Sequence, residues 1–103
     1  MAVFKLTKKA REDLIGIARY TETRWGRDQR KFYLKQLDDT FHVLADNPDP
    51  GRRCDEIRQG YFKYPKDSHV IFYRFESESA IEVIRILHKH MDVAGVLRQS
   101  TLC

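Results

Sequence analysis

Two apolar runs near the end of the chain each spend an arginine. His69-Val70-Ile71-Phe72-Tyr73-Arg74-Phe75 carries Arg74, and Ala80-Ile81-Glu82-Val83-Ile84-Arg85-Ile86-Leu87 carries Arg85 before running on into His88-Lys89-His90. A buried strand rarely holds a guanidinium without a partner or a purpose, because desolvating the charge is costly. Residues two apart on a strand share a face, so His88 and His90 present two imidazoles together, with His69 or Asp92 nearby. No thiolate or further spaced ligand completes a metal set, so no metal is expected. Cys54 follows Arg52 and Arg53, neighbours that lower a thiol's pKa. No histidine base stands close to it in a recognisable pattern, and nucleophilic catalysis is not expected.

The elements that position these residues are readable in order. Val3 to Leu6 is a short strand, and Thr7 is placed to N-cap a helix, its hydroxyl accepting from a first-turn N–H. Ala10, Leu14, Ile17, Ala18 and Trp25 are assigned to one apolar face, with Trp25 as the cap of the helical core. Gly16 costs the helix roughly 1 kcal/mol relative to alanine, which close packing against a neighbouring helix would justify. Gly26 stops this helix. A second begins near Asp28 and carries the stripe Leu34, Leu37, Phe41 and Leu44 until Asn47-Pro48-Asp49-Pro50-Gly51 ends it. Strands are then expected over Ile57 to Tyr64, His69 to Phe75 and Ala80 to Leu87, with Ser77-Glu78-Ser79 as the last hairpin loop. Val93 to Leu97 reads as a short terminal helix or an extended segment. The fold class is α+β: an N-terminal strand, an antiparallel helical hairpin, then a three-stranded antiparallel sheet covered on one face by the helices. Which parity of the strands faces the helices stays open, since both faces are partly apolar.

Composition bounds the function. At 103 residues, with 42% hydrophobic and 33% charged residues, the chain is one globular domain over residues 1–103. No apolar stretch spans a bilayer, and charge interrupts the N-terminus too soon for a secretory leader. Cys54 and Cys103 are read as free thiols in a reducing cytoplasm. The net charge of +4 is spread along the chain, and is compatible with an acidic partner or with ordinary solubility.

The element order, the lead-in Glu56-Ile57-Arg58-Gln59-Gly60-Tyr61, the strand Ser68 to Arg74 and the ending Ile86-Leu87-His88-Lys89-His90-Met91-Asp92 together resemble the ParE branch of the RelE/ParE toxin superfamily. Tyr20 and the turn at Trp25-Gly26 are similar to that branch as well. The likeness spans nearly the whole chain.

The resemblance implies the toxin of a bacterial type II toxin–antitoxin module, cytoplasmic, without cofactors and without a membrane partner. It implies DNA gyrase as target, and a ParD-like antitoxin whose C-terminal segment wraps the toxin and whose N-terminal domain binds operator DNA. Operator DNA is thus contacted only indirectly, and a toxin dimer within the complex is compatible with the family. The exposed sheet and C-terminal segment are expected to meet gyrase through Arg58, Lys63, Arg74 and His88, an assignment resting on strand position and unpaired polarity. The antitoxin is expected against the helical hairpin at Tyr20, Trp25, Tyr33 and Phe41, where a basic chain would attract an acidic, amphipathic segment.

Two other functions compete with this one. The RelE branch cleaves messenger RNA on the ribosome, which takes a base for the 2′-hydroxyl, an acid for the leaving oxygen and cations for the phosphorane. Lys63, Lys66, Arg74 and His88 stand near the required positions. The Arg/Tyr pairing expected near the C-terminus is absent, however, with Met91 and Asp92 in its place, which favours the gyrase branch and a non-enzymatic toxin. A basic DNA-binding module is the weakest reading, because the second helix spends its residues on the core and offers only Lys35 and Gln36 to a groove.

Overall fold

The computed structural model describes residues 3–47, 50–55 and 58–89. Glu56, Ile57, His90, Met91, Asp92, the Val93 to Leu97 segment and Cys103 lie outside them. The element order is β1 (Val3–Leu6), α1 (Lys8–Trp25), α2 (Arg27–Asp46), β2 (Arg52–Arg53), β3 (Tyr61–Lys66), β4 (His69–Ser77) and β5 (Ala80–His88). The strands form one sheet in the order β1-β5-β4-β3-β2. The sheet is therefore five-stranded, and the three strands expected from alternation are its centre. β1 runs parallel to β5, from Val3 opposite Ala80 to Leu6 opposite Val83. The other pairs are antiparallel.

Thr7 does more than cap. Its Oγ1 accepts from Ala10 N at 3.0 Å and donates to Ile84 O at 2.8 Å, so one hydroxyl starts α1 and ties it to β5. Gly26 ends α1 and begins α2 at φ 96°, a backbone region that L side chains avoid. The helices therefore fold back on each other across a single residue.

Both faces of the sheet are buried, which is why alternation alone did not choose between them. Under the helices, Ile17, Leu37, Phe41 and Leu44 pack on Ile71, Tyr73, Ile81, Val83 and Ile86. The opposite face holds a second cluster of Cys54, Tyr61, Phe72, Ile84 and Leu87. A bulge in β5 reconciles the two patterns. Phe72 pairs with Arg85 but Tyr73 with Val83, so Ile84 is the extra residue that resets which side chains face the helices.

β3 begins at Tyr61 and runs on to Lys66 through Pro65. The proline is tolerated because β2 pairs only with Phe62 and Lys63, which leaves that end of β3 as a sheet edge. Gly51 has a packing reason: a Cβ there would lie 1.6 Å from the Tyr73 hydroxyl.

Two local expectations are corrected. Trp25 does not cap the core; it is 66% exposed. Eight residues after Ile17 the helix has turned by roughly 80° from the apolar stripe, which carries Trp25 off the buried face. Gly16 has no such close neighbour among the described residues, with open space where its Cβ would be.

Candidate functional site

A groove of about 1050 Å³ opens between the helical hairpin and one end of the sheet. α1 contributes Glu12, Asp13, Gly16, Ile17, Tyr20, Thr21 and Trp25, and α2 contributes Gln29, Phe32, Tyr33 and Gln36. The floor is the β3–β4 turn and the last residues of β5: Asp67, Ser68, His69 and Arg85 through His88. Three large side chains stand exposed along it, Tyr20 at 61%, Trp25 at 66% and Phe32 at 50%. Monomeric proteins seldom leave aromatic side chains together in a concavity unless something covers them.

The groove exists because β1 is short. β1 ends at Leu6, so among the described residues the second half of β5 has no strand neighbour on that side. Asp13 of α1 takes over part of the missing ladder. Its Oδ2 accepts from Ile86 N at 3.0 Å and from Arg85 Nε at 2.8 Å, and its Oδ1 accepts from Arg85 at 3.0 Å. Arg85 has its partner, and that bidentate clamp holds the helices to the sheet edge. Gly16, one turn further along α1, lines the same groove and keeps its wall low.

At the other end of the floor Tyr33 Oη and His69 Nδ1 share a hydrogen bond of 2.8 Å, and the His69 ring meets His88 edge-on at 5.7 Å. Burial, and then the neighbouring His88, holds the His69 pKa below its ordinary value. Burial, with Asp67 adding to it, pushes the Tyr33 hydroxyl up to about 12. The pair is therefore neutral at pH 7, a half-buried polar contact and not a charged one.

The expected antitoxin contacts divide. Tyr20, Trp25 and Tyr33 line the groove together, whereas Phe41 is 2% exposed in the core beneath the helices. Phe41 thus supports that surface from below and offers a partner no area. The expected gyrase contacts divide too. Lys63 and Arg74 lie on the sheet face opposite the helices, since Lys63 pairs with Phe72, and Arg74 with Tyr61. Arg58 is exposed at the start of the turn into β3. His88 sits instead in the groove, opposite His69.

Arg74 is not unpaired. It donates to Glu82 at 2.9 and 3.0 Å and approaches Glu76 at 3.5 Å, while Lys5 reaches Glu76 at 3.1 Å. Strand alternation placed these residues on one face but carried no sign that two carboxylates would converge on one guanidinium. Nor does the lining of the groove match the charge expected of it. It holds Glu12, Asp13 and Asp67 against the single guanidinium of Arg85. The basic surplus lies elsewhere, in residues 50–66, where Arg52, Arg53, Arg58, Lys63 and Lys66 outnumber Asp55 and Glu56.

Of the groove residues, Asp13, Gly16, Asp67 and His69 escaped the sequence as a set, because they come from three separate elements. An apolar stripe interrupted by Gly16 and followed by exposed aromatic residues was the signal available. The residues offered for RNA cleavage do not converge: Lys63 and Arg74 lie on one face of the sheet, Lys66 and His88 on the other.

Comparison with known proteins gives this arrangement its family. Residues 4–93 match the family model described as the ParE toxin of the type II toxin–antitoxin system parDE. The chain is 44% identical over 90 residues to Toxin ParE1 of Mycobacterium tuberculosis, covering 87% of this chain and 92% of that protein. It is 36% identical to Toxin ParE1 of Caulobacter vibrioides over 97 residues, 94% of this chain and 99% of the relative. A solved structure described as the chromosomal ParDE TA system from P. aeruginosa superposes with a TM-score of 0.70 at 18% identity, covering 85% of this chain and 96% of the other. That likeness is one of fold. With the family model matched over most of this chain and two such relatives, this chain belongs to the ParE toxins of type II toxin–antitoxin systems.

Proposed function

We propose that the chain arrests growth by inhibiting DNA gyrase, without catalysis of its own, and that a ParD-like antitoxin neutralises it by laying a segment into the groove between the helical hairpin and the end of the sheet. The observation that carries the antitoxin part is the exposure of Tyr20, Trp25 and Phe32 along one concave, otherwise well-built wall. Large aromatic side chains in such a position are the usual anchors of a protein interface. Tyr33 extends that surface, and Phe41 sets the helix that bears it.

The gyrase part rests on membership of the family and on the half-buried cations of the opposite sheet face and the exposed ones of the β2–β3 edge. Arg58 and Lys63 are offered there, with Arg74 held in a fixed orientation by Glu82 and Glu76. His88, being in the groove, would be shared with or masked by the antitoxin. This gives neutralisation a simple form, in which the occupied groove withholds part of the target surface.

Ribosome-dependent RNA cleavage is the competing activity, and the separation of Lys63 and Arg74 from His88 across the sheet argues against it. Induction in a bacterial host distinguishes the two. Inhibited gyrase stops thymidine incorporation before leucine incorporation, whereas mRNA cleavage reverses that order. Co-expression of the antitoxin restores growth for the wild-type chain and not for Trp25→Ala, if the groove is its site. Rescue of Trp25→Ala as complete as that of wild type would move the antitoxin elsewhere.

A further inference from the structure

Carboxylates outnumber guanidinium groups in the lining of the groove, and two of them, Asp67 and Glu12, lack close ion-pair partners among the described residues. Asp67 sits in the β3–β4 turn at φ 55° and forms no ion pair among the described residues. Glu12, on α1, lies 4.0 Å from Lys9 with both side chains more than half exposed, and its charge also reaches Arg85. Asp13 is already committed to Arg85 and Ile86. The same lining carries Tyr20, Trp25 and Phe32. A helix is about 10–12 Å across, so a groove of this size holds on the order of two turns.

From this charge and shape we infer that the groove takes a short amphipathic helix whose apolar face meets the aromatic wall and whose polar flank carries lysine or arginine, read by Asp67 and Glu12. The inference rests on the groove being the antitoxin's seat and adds the chemistry of what sits there: a basic flank, not the acidic one that the chain's net charge would suggest. Like charges brought into a concave apolar site repel, and opposite charges select register as well as partner. The surplus cations of residues 50–66 lie outside this groove and leave its selectivity to its own carboxylates.

The sole tryptophan of the chain is Trp25, and it stands in the groove, so its emission reports occupancy directly. Three synthetic amphipathic peptides of about 14 residues, identical on a Leu/Phe face and bearing Lys, Gln or Glu on the flanks, are titrated into the full chain at low salt. The Lys peptide should shift Trp25 emission to the blue and bind on the order of tenfold tighter than the Glu peptide, since each exposed ion pair supplies up to about fivefold. In the double variant Asp67→Asn/Glu12→Gln the Lys-over-Glu preference should collapse toward onefold. Asparagine tolerates the positive φ at position 67, and far-UV circular dichroism checks the fold. Equal binding of all three peptides, or a preference that survives the double variant, overturns the basic flank while leaving the groove as a docking site. No shift with any of them overturns the groove as a helix seat and this inference with it. A shift that follows protein concentration alone would make a second copy of the chain the occupant, and would likewise refute the inference.

Discussion

Replacing Asp13 with alanine removes three hydrogen bonds in one step. Arg85 loses both contacts to the carboxylate, and the Ile86 N–H, on the side of β5 where no strand runs among the described residues, loses its acceptor. The two side chains are only 13% and 14% exposed, so water replaces the carboxylate poorly. Breaking such a buried pair from one side costs about 3–5 kcal/mol; the open groove beside it argues for the lower end, about 3 kcal/mol. For a domain of this size that corresponds to a fall in Tm of roughly 12–24 °C. Urea unfolding followed by far-UV circular dichroism measures it, with an unchanged m-value expected. Asp13→Asn keeps a carbonyl for the Ile86 N–H and should lose about half as much. Asp13→Ala/Arg85→Leu should recover part of the loss and stay about 1–2 kcal/mol short, because the Ile86 N–H is still orphaned. A loss below about 1 kcal/mol for Asp13→Ala would refute the clamp as what holds the hairpin to the sheet.

Other perturbations follow from single contacts. Gly51→Ala should destabilise by about 2–3 kcal/mol, since its Cβ meets the Tyr73 hydroxyl, and Tyr73→Phe in the same chain should restore part of it; thermal melts of the three variants decide this. Tyr73→Phe alone should be neutral or slightly stabilising, because that buried hydroxyl has no partner among the described residues. Trp25→Ala should change stability by less than about 1 kcal/mol yet weaken antitoxin binding by about 2 kcal/mol, whereas Phe41→Ala should cost about 3–5 kcal/mol of stability; calorimetric titration and urea curves separate the two. The His69 pKa is depressed in the folded chain, so below about pH 6.5 the unfolded state binds the extra proton first. Stability should therefore fall as pH drops from 7 toward 5, and His69→Gln should flatten that slope; an unaltered slope would assign it to other groups.

How much of this was legible in the sequence depends on the range over which each residue acts. Thr7, Gly26 and the Leu37/Phe41/Leu44 stripe act within one or two turns of chain, and the helical hairpin they specify is present as expected. The hairpin of β4 and β5 was legible for the same reason. β2 is two residues long and was invisible to any period. The parallel pairing of β1 with β5 joins positions about eighty residues apart, and nothing local in Val3 to Leu6 signals it. The bulge at Ile84 inverts the alternation that would have assigned faces.

The site was less legible than the fold. Trp25 was placed on the buried stripe by helical periodicity, but that stripe ends where its neighbours end, and periodicity does not record this. Net charge suggested a groove for acidic segments. The charge is instead divided in space, with carboxylates in the groove and cations toward the β2–β3 edge, a division that only the fold reveals. Arg74 and Arg85 were singled out because a strand rarely spends arginine freely. Each has carboxylate partners from a different strand or helix.

Purified protein tests most directly the proposal that this ParE-family chain poisons gyrase without catalysis. Purified chain is incubated with gyrase, ATP and relaxed plasmid, and the products are scored for lost supercoiling and for linear DNA released by detergent and protease. Both are expected, in proportion to toxin and abolished by prior addition of antitoxin. Full supercoiling with no linear DNA, from protein shown to be folded, would contradict it, and cleavage of messenger RNA by the same preparation in a translating extract would put a ribonuclease in its place.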